Sequence, residues 1–92
     1  MRIAVEIVNE LGLHARPAAE FVRAAQTYKG TVITLHKEGE TFSATSILDV
    51  LSANLDCGSQ LELHAEGPDA SAALDRLAAL LLDFKVQEEG ER

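Results

Sequence analysis

The residues best placed to do chemistry stand together in Gly12-Leu13-His14-Ala15-Arg16-Pro17-Ala18. This order puts an imidazole at the start of a helix, where backbone N–H groups and the helix dipole attract an anion. A neutral imidazole nitrogen is a nucleophile, and the P–N bond it makes with a phosphoryl group is reactive toward a second acceptor. Such transfer relies on positioning and charge stabilisation more than on covalent help. Arg16 brings a guanidinium for phosphoryl oxygens, and the helix start from Ala15 through Arg16 and Pro17 to Ala18 is the expected phosphate-binding backbone. Pro17 suits a first helical turn because it has no N–H to lose and a pre-set φ. Gly12 permits the tight backbone approach that exposes His14.

Positioning that histidine requires a strand before it and a helix after it. In residues 2–8, Ile3, Val5 and Ile7 alternate with Arg2, Ala4 and Glu6, the pattern of a strand with one buried face. Asn9 to Leu13 is then a loop. From about Arg16 to Thr27, Ala18, Phe21, Val22 and Ala25 form one apolar stripe, with Glu20, Arg23 and Gln26 toward water. Tyr28-Lys29-Gly30 ends this helix, and Thr31 to Lys37 reads as a strand with Ile33 and Leu35 on one side. Lys37-Glu38-Gly39-Glu40 is a hairpin turn into a short strand near Thr41 to Ala44. Ser46 caps a short helix from Ile47 to about Ala53, and Gly58 marks a turn. Leu61, Leu63 and Ala65 then alternate with Gln60, Glu62, His64 and Glu66 in a fourth strand. Asp69 caps a last helix whose apolar face holds Ala73, Leu74, Leu77, Leu80, Leu81 and Phe84. The GluGluGlyGluArg stretch that follows reads as solvated, so the domain is expected over 1–88 with a tail at 89–92. The order β-α-β-β-α-β-α is most simply satisfied by two layers, one sheet face on helices and the other left polar.

The heptapeptide resembles the phosphorylation site of the HPr family, the phosphocarriers of the bacterial phosphoenolpyruvate-dependent phosphotransferase system. The pattern continues in Ser43-Ala44-Thr45-Ser46-Ile47-Leu48-Asp49-Val50-Leu51-Ser52, in the Gly58 turn and the strand after it, and in Gly67-Pro68-Asp69 before the last helix. The resemblance implies an α+β, open-faced sandwich of four antiparallel strands covered on one face by three helices. It implies a covalent carrier rather than an enzyme in its own right: enzyme I phosphorylates His14 at Nδ1, and the group passes to a sugar-specific enzyme II A component. No cofactor is implied. Phe21 and Arg23 of the first helix, with Ile47, Leu48 and Leu51 of the short one, would form the docking face for these partners, although Leu51 could serve the core instead. Ser46 aligns with the serine that HPr kinase/phosphorylase modifies in some members. A phosphate there would add about −2 charge at a helix start, against a plain N-cap role of roughly 1 kcal/mol.

The sequence departs from that pattern in places that bear on partners. Asp49 stands where glycine or lysine is common, and Gln26 where the first helix often carries a cation, which leaves Arg16 and Arg23 as the obvious cations near the site. Charge-complementary docking is therefore expected to be weaker, or matched by a changed partner. Asn54-Leu55-Asp56-Cys57 replaces the usual glycine-containing loop, and the Lys37 to Glu40 turn has one extra residue.

Bulk properties narrow the alternatives. Ninety-two residues hold one core and leave no room for a second catalytic domain. With 47% apolar residues in amphipathic periods the chain is expected to fold compactly. A net charge of −7 disfavours nucleic acid or an anionic membrane as partner. No apolar run approaches the roughly 18 residues of a membrane span. The first residues alternate like a strand, not a signal peptide, and Cys57 is a lone thiol. A cytoplasmic monomer is the expectation. His36 and His64 lack metal-ligand spacing and belong on the polar sheet face, so no metal site is expected. No triad, P-loop or carboxylate pair suggests an independent enzyme. The competing readings are a nitrogen-related paralogue, NPr, and a regulatory binding module switched at Ser46, as family members without the histidine are.

Overall fold

The computed structural model describes residues 1–90. Alternation and periodicity resolve into β1 (Arg2–Glu6), α1 (Ala15–Gln26), β2 (Val32–Lys37), β3 (Glu40–Ser43), α2 (Ile47–Ser52), β4 (Gln60–Glu66) and α3 (Ala70–Gly90). The four strands form one sheet in the order β1-β4-β2-β3, and every neighbouring pair is antiparallel. The expected β-α-β-β-α-β-α sandwich is therefore what forms.

Register explains why one face of the sheet is dry. Val5 stands opposite Leu61, Ile33 opposite Ala65, and Leu35 opposite Leu63, so the apolar set of three strands falls on the same side. Onto it pack Ala18, Phe21, Val22 and Ala25 of α1, Val50 of α2, and Leu74, Leu77, Leu81 and Phe84 of α3, all buried. Full burial of Phe21 alone is worth about 1.5–3 kcal/mol. Ile3 and Val5 are only partly buried because β1 is an edge strand.

The opposite face is polar. There the His36 and His64 rings stack at 3.7 Å between centroids, at an interplanar angle of 25°. Thr34 Oγ1 lies 2.9 Å from His36 Nε2, and Glu62 Oε1 lies 2.9 Å from His64 Nε2. The hydrogen bond from His64, with help from Arg2, holds the Glu62 carboxyl below its usual range. Among the described residues no group of three or more His, Cys, Asp or Glu could hold a metal ion. No helix among them is long and apolar enough to cross a membrane.

The hairpin between β2 and β3 turns through Glu38 (φ 52°) and Gly39 (φ 82°), both left-handed, as a two-residue connection requires. Lys37 at the turn's edge reaches across the molecule: its Nζ donates to Ala53 O at 3.0 Å and Asn54 O at 2.8 Å, capping the carboxyl end of α2 with a cation. At the other end of α2, Ser46 Oγ accepts from Asp49 N at 3.3 Å. Ser46→Ala is expected to lower stability by about 1 kcal/mol in a urea titration. An unchanged midpoint would remove this cap from the energetics.

The C-terminal stretch departs from expectation. The helix runs through Gly90, so Glu88, Glu89 and Gly90 are helical, Glu89 and Gly90 being exposed, while Glu91 and Arg92 lie outside the described residues. Two side chains favour the extension: Gln87 Nε2 donates to Asp83 Oδ2 at 2.8 Å one turn back, and Glu88 binds the loop before α1.

Candidate phosphoryl-acceptor site

His14 occupies the N-cap position of α1 with extended backbone (φ −75°, ψ −173°), and its side chain makes no capping hydrogen bond. The residue is exposed, so the imidazole is presented rather than spent on the helix. The first intrahelical bond runs from Ala18 N to His14 O at 2.9 Å. This narrows the expected phosphate-binding backbone. Pro17 has no N–H, and that of Ala18 is committed to the helix. The amides of Ala15 and Arg16 come before this first intrahelical bond, at the positive end of the helix dipole. Pro17 and Ala18 are buried. His14 and Arg16 share a shallow hollow with Leu11, Pro17, Phe84 and Gln87, and the carboxylates of Glu20 and Glu88 also line it.

The loop that delivers His14 is held from two sides. On one, Leu13 N donates to Leu55 O at 2.9 Å, and Gly12 (φ +66°) lies so close to this segment that a Cβ would stand 2.5 Å from Leu55 O. The tight approach that Gly12 permits thus has a defined cause. On the other side stands Asn9, fully buried, whose Nδ2 donates to Gly12 O at 2.8 Å and to Glu88 Oε2 at 2.6 Å. Leu11 N donates to the same carboxylate at 3.3 Å. From the sequence alone Asn9 is the first residue of a loop and Glu88 part of a solvated stretch. The only signal available was an Asn three residues before a glycine, the local pattern of a side chain that closes its own turn.

The hydrogen bond from Asn9, reinforced by the backbone N–H groups of Leu11 and Glu10 and by the nearby His14, holds the Glu88 carboxyl below its usual range. A depressed carboxyl contributes stability that is complete above the ordinary carboxylate pKa and is lost as pH falls through the lower, folded value. Thermal melts taken from about pH 6 to about pH 3 should therefore show a smaller acid-side loss for Glu88→Gln than for the unaltered chain. Parallel curves would show that Glu88 is not linked to folding.

The expected docking residues divide. Arg23 is exposed, as are Ile47 (37%), Leu48 (74%) and Leu51 (40%), so α2 does present an apolar face, and Leu51 belongs to it rather than to the core. Phe21 does not: at 1% exposure it is a core residue, because its place in the stripe of α1 turns it onto the sheet. The two departures on these helices have structural uses. Gln26 Nε2 donates to Thr45 O at 3.1 Å, tying the end of α1 to the segment before α2. Asp49 Oδ2 accepts from Ser43 N at 2.9 Å, which fastens α2 to β3. A phosphate on Ser46 would meet this carboxylate within one helical turn, a like charge opposing the favourable dipole. Cys57 is exposed and unpaired in any disulfide.

A family model described as "PTS HPr component phosphorylation site" matches residues 1–83. The chain belongs to the HPr family. The histidine, the arginine two residues on and the helix start lie within the matched span. The crystal structure of the phosphocarrier protein HPr from Bacillus anthracis is similar over 87% of this chain and 94% of its own, at 38% identity and a TM-score of 0.83. The HPr-like protein Crh of Bacillus subtilis is 40% identical over 85 residues, 92% of this chain and 93% of Crh. The phosphocarrier protein NPr of Klebsiella oxytoca is 38% identical over 76 residues, 83% of this chain and 84% of its own. The relatives of this chain thus carry three names, HPr, NPr and Crh.

Proposed function

We propose that this protein carries a phosphoryl group on His14, received from phospho-enzyme I and passed to a sugar-specific enzyme II A component. The observation that supports this reading is the presentation of His14: an exposed imidazole at a helix start, with no hydrogen bond to the helix it caps, beside Arg16. In this reading the ring attacks phosphorus as the bond to enzyme I's histidine breaks, while Arg16 and the Ala15 amide balance the charge on the phosphoryl oxygens. The exposed face of Ile47, Leu48 and Leu51 with Arg23 is where both partners dock. One face that must serve successive partners is best kept by a cytoplasmic monomer.

A second reading, in which the same carrier feeds a nitrogen-related regulatory branch, is supported by the NPr relative. Loading by the two enzyme I types separates them. Incubation with phosphoenolpyruvate and each enzyme I in parallel is expected to give faster phosphate incorporation from the sugar-system enzyme. Faster loading by the nitrogen-system enzyme reverses the order of the two readings, and loading by neither overturns both.

A further inference from the structure

We infer that Glu88 is a positioning residue for phosphoryl transfer: from the end of α3 its carboxylate holds the Asn9–Leu13 loop, and through it His14, in the accepting geometry. The inference rests on the carrier reading above.

Four hydrogen bonds link α3 to the turn before the histidine. Glu88 Oε2 accepts from Asn9 Nδ2 at 2.6 Å and from Leu11 N at 3.3 Å. The same Asn9 Nδ2 donates to Gly12 O at 2.8 Å, and Gly12 N donates back to Asn9 O at 3.1 Å, closing the turn two residues before His14. Asn9 is fully buried, so packing fixes the direction in which its amide points. Hydrogen bonds to an ionised carboxylate are roughly twice as strong as neutral ones. The carboxylate itself stands on a rigid support, because Leu77, Leu81 and Phe84 bury the preceding turns of α3 in the core.

The Leu13 to Leu55 bond holds the loop from the opposite side. Without Glu88 the Asn9–Gly12 turn would keep its internal bonds but lose its tie to α3, and the imidazole would sample positions displaced from in-line attack. Displacements on the order of 1 Å cost up to about a hundredfold in transfer reactions. Glu88 lines the same hollow as His14 and acts on the ring through the loop, so it is a positioning residue and not a reacting one. It also stands apart from the Ile47, Leu48 and Leu51 face, on a different helix. Its loss should therefore slow transfer without weakening docking.

The test is transfer from phospho-enzyme I at a series of acceptor concentrations, with the full chain, Glu88→Ala and Glu88→Gln. Glu88→Ala is expected to lower the maximal rate roughly tenfold at an unchanged half-saturating concentration. Glu88→Gln, which keeps an oxygen acceptor in place, should recover most of that loss. Hydrogen exchange should quicken at Leu11 N–H in the alanine variant and stay unchanged across β4, which separates loop release from unfolding. A maximal rate for Glu88→Ala equal to that of the unaltered chain overturns the inference alone. So does a loss confined to half-saturation, which would make Glu88 a docking residue. Absence of phosphate on the unaltered chain overturns the carrier reading and this inference with it. Should alanine unfold the helix end, the glutamine variant decides: a rate as low as that of an unfolded control would count against positioning.

Discussion

His14→Ala is expected to abolish phosphate acceptance while leaving the fold and its thermal midpoint nearly unchanged. Both halves follow from the same geometry. The imidazole is exposed and makes no bond to the helix it caps, so removing it empties no cavity and strands no buried partner. The backbone carbonyl of residue 14, which does accept from Ala18 N, survives the substitution. What is lost is the nucleophile. His36 and His64 cannot replace it, since they stack on each other on the sheet's polar face. Phosphate incorporation from phospho-enzyme I, followed beside circular dichroism melts, checks both parts. Residual incorporation at the unaltered level would remove His14 as acceptor. A large drop in midpoint would show that the ring is structural.

Gly12→Ala should be far more damaging than the same substitution at Gly30, Gly39 or Gly58, where an added Cβ meets nothing within 4 Å. A left-handed φ of +66° costs a residue with a Cβ about 1–2 kcal/mol by itself. Here the new Cβ would also stand 2.5 Å from Leu55 O and 2.9 Å from Asp56 Cα, both backbone atoms that cannot rotate away. The segment must shift, and with it the Leu13 to Leu55 hydrogen bond. A loss of about 3 kcal/mol or more is expected, a large share of the stability of a small domain. Gly39→Ala is the control. Its φ is +82° but nothing lies within 4 Å of the added Cβ, so only the conformational cost of about 1 kcal/mol applies. Urea titrations of the two variants should differ by at least about 2 kcal/mol. Equal losses would show that the loop before His14 yields freely to the segment after α2.

How much of this is legible in the sequence depends on the range of the interaction. Strand alternation in Ile33, Leu35, Leu61, Leu63 and Ala65 carried the sheet, because period-two patterning is local and one face is dry. The candidate site was legible because its reactive stretch, from Gly12 to Pro17, is contiguous. The Asn9 to Glu88 bond spans 79 residues and rests on no pattern, so Glu88 looked like one more charge in an acidic tail. Phe21 was assigned twice, to the apolar stripe by periodicity and to the docking face by resemblance. Burial decided for the stripe, since a helix side that faces the sheet cannot also face a partner. Asp49 was legible as a departure but not as a tether, because Ser43 N comes within its reach only after β3 and α2 have packed.

The most direct test of the central claim is phosphorus NMR of the unaltered protein after incubation with phosphoenolpyruvate and enzyme I, with the site mapped by mass spectrometry under mild conditions. One acid-labile phosphate on Nδ1 of His14 is the predicted result. Phosphate on any other residue, or none while the same enzyme I loads a control carrier, would contradict it.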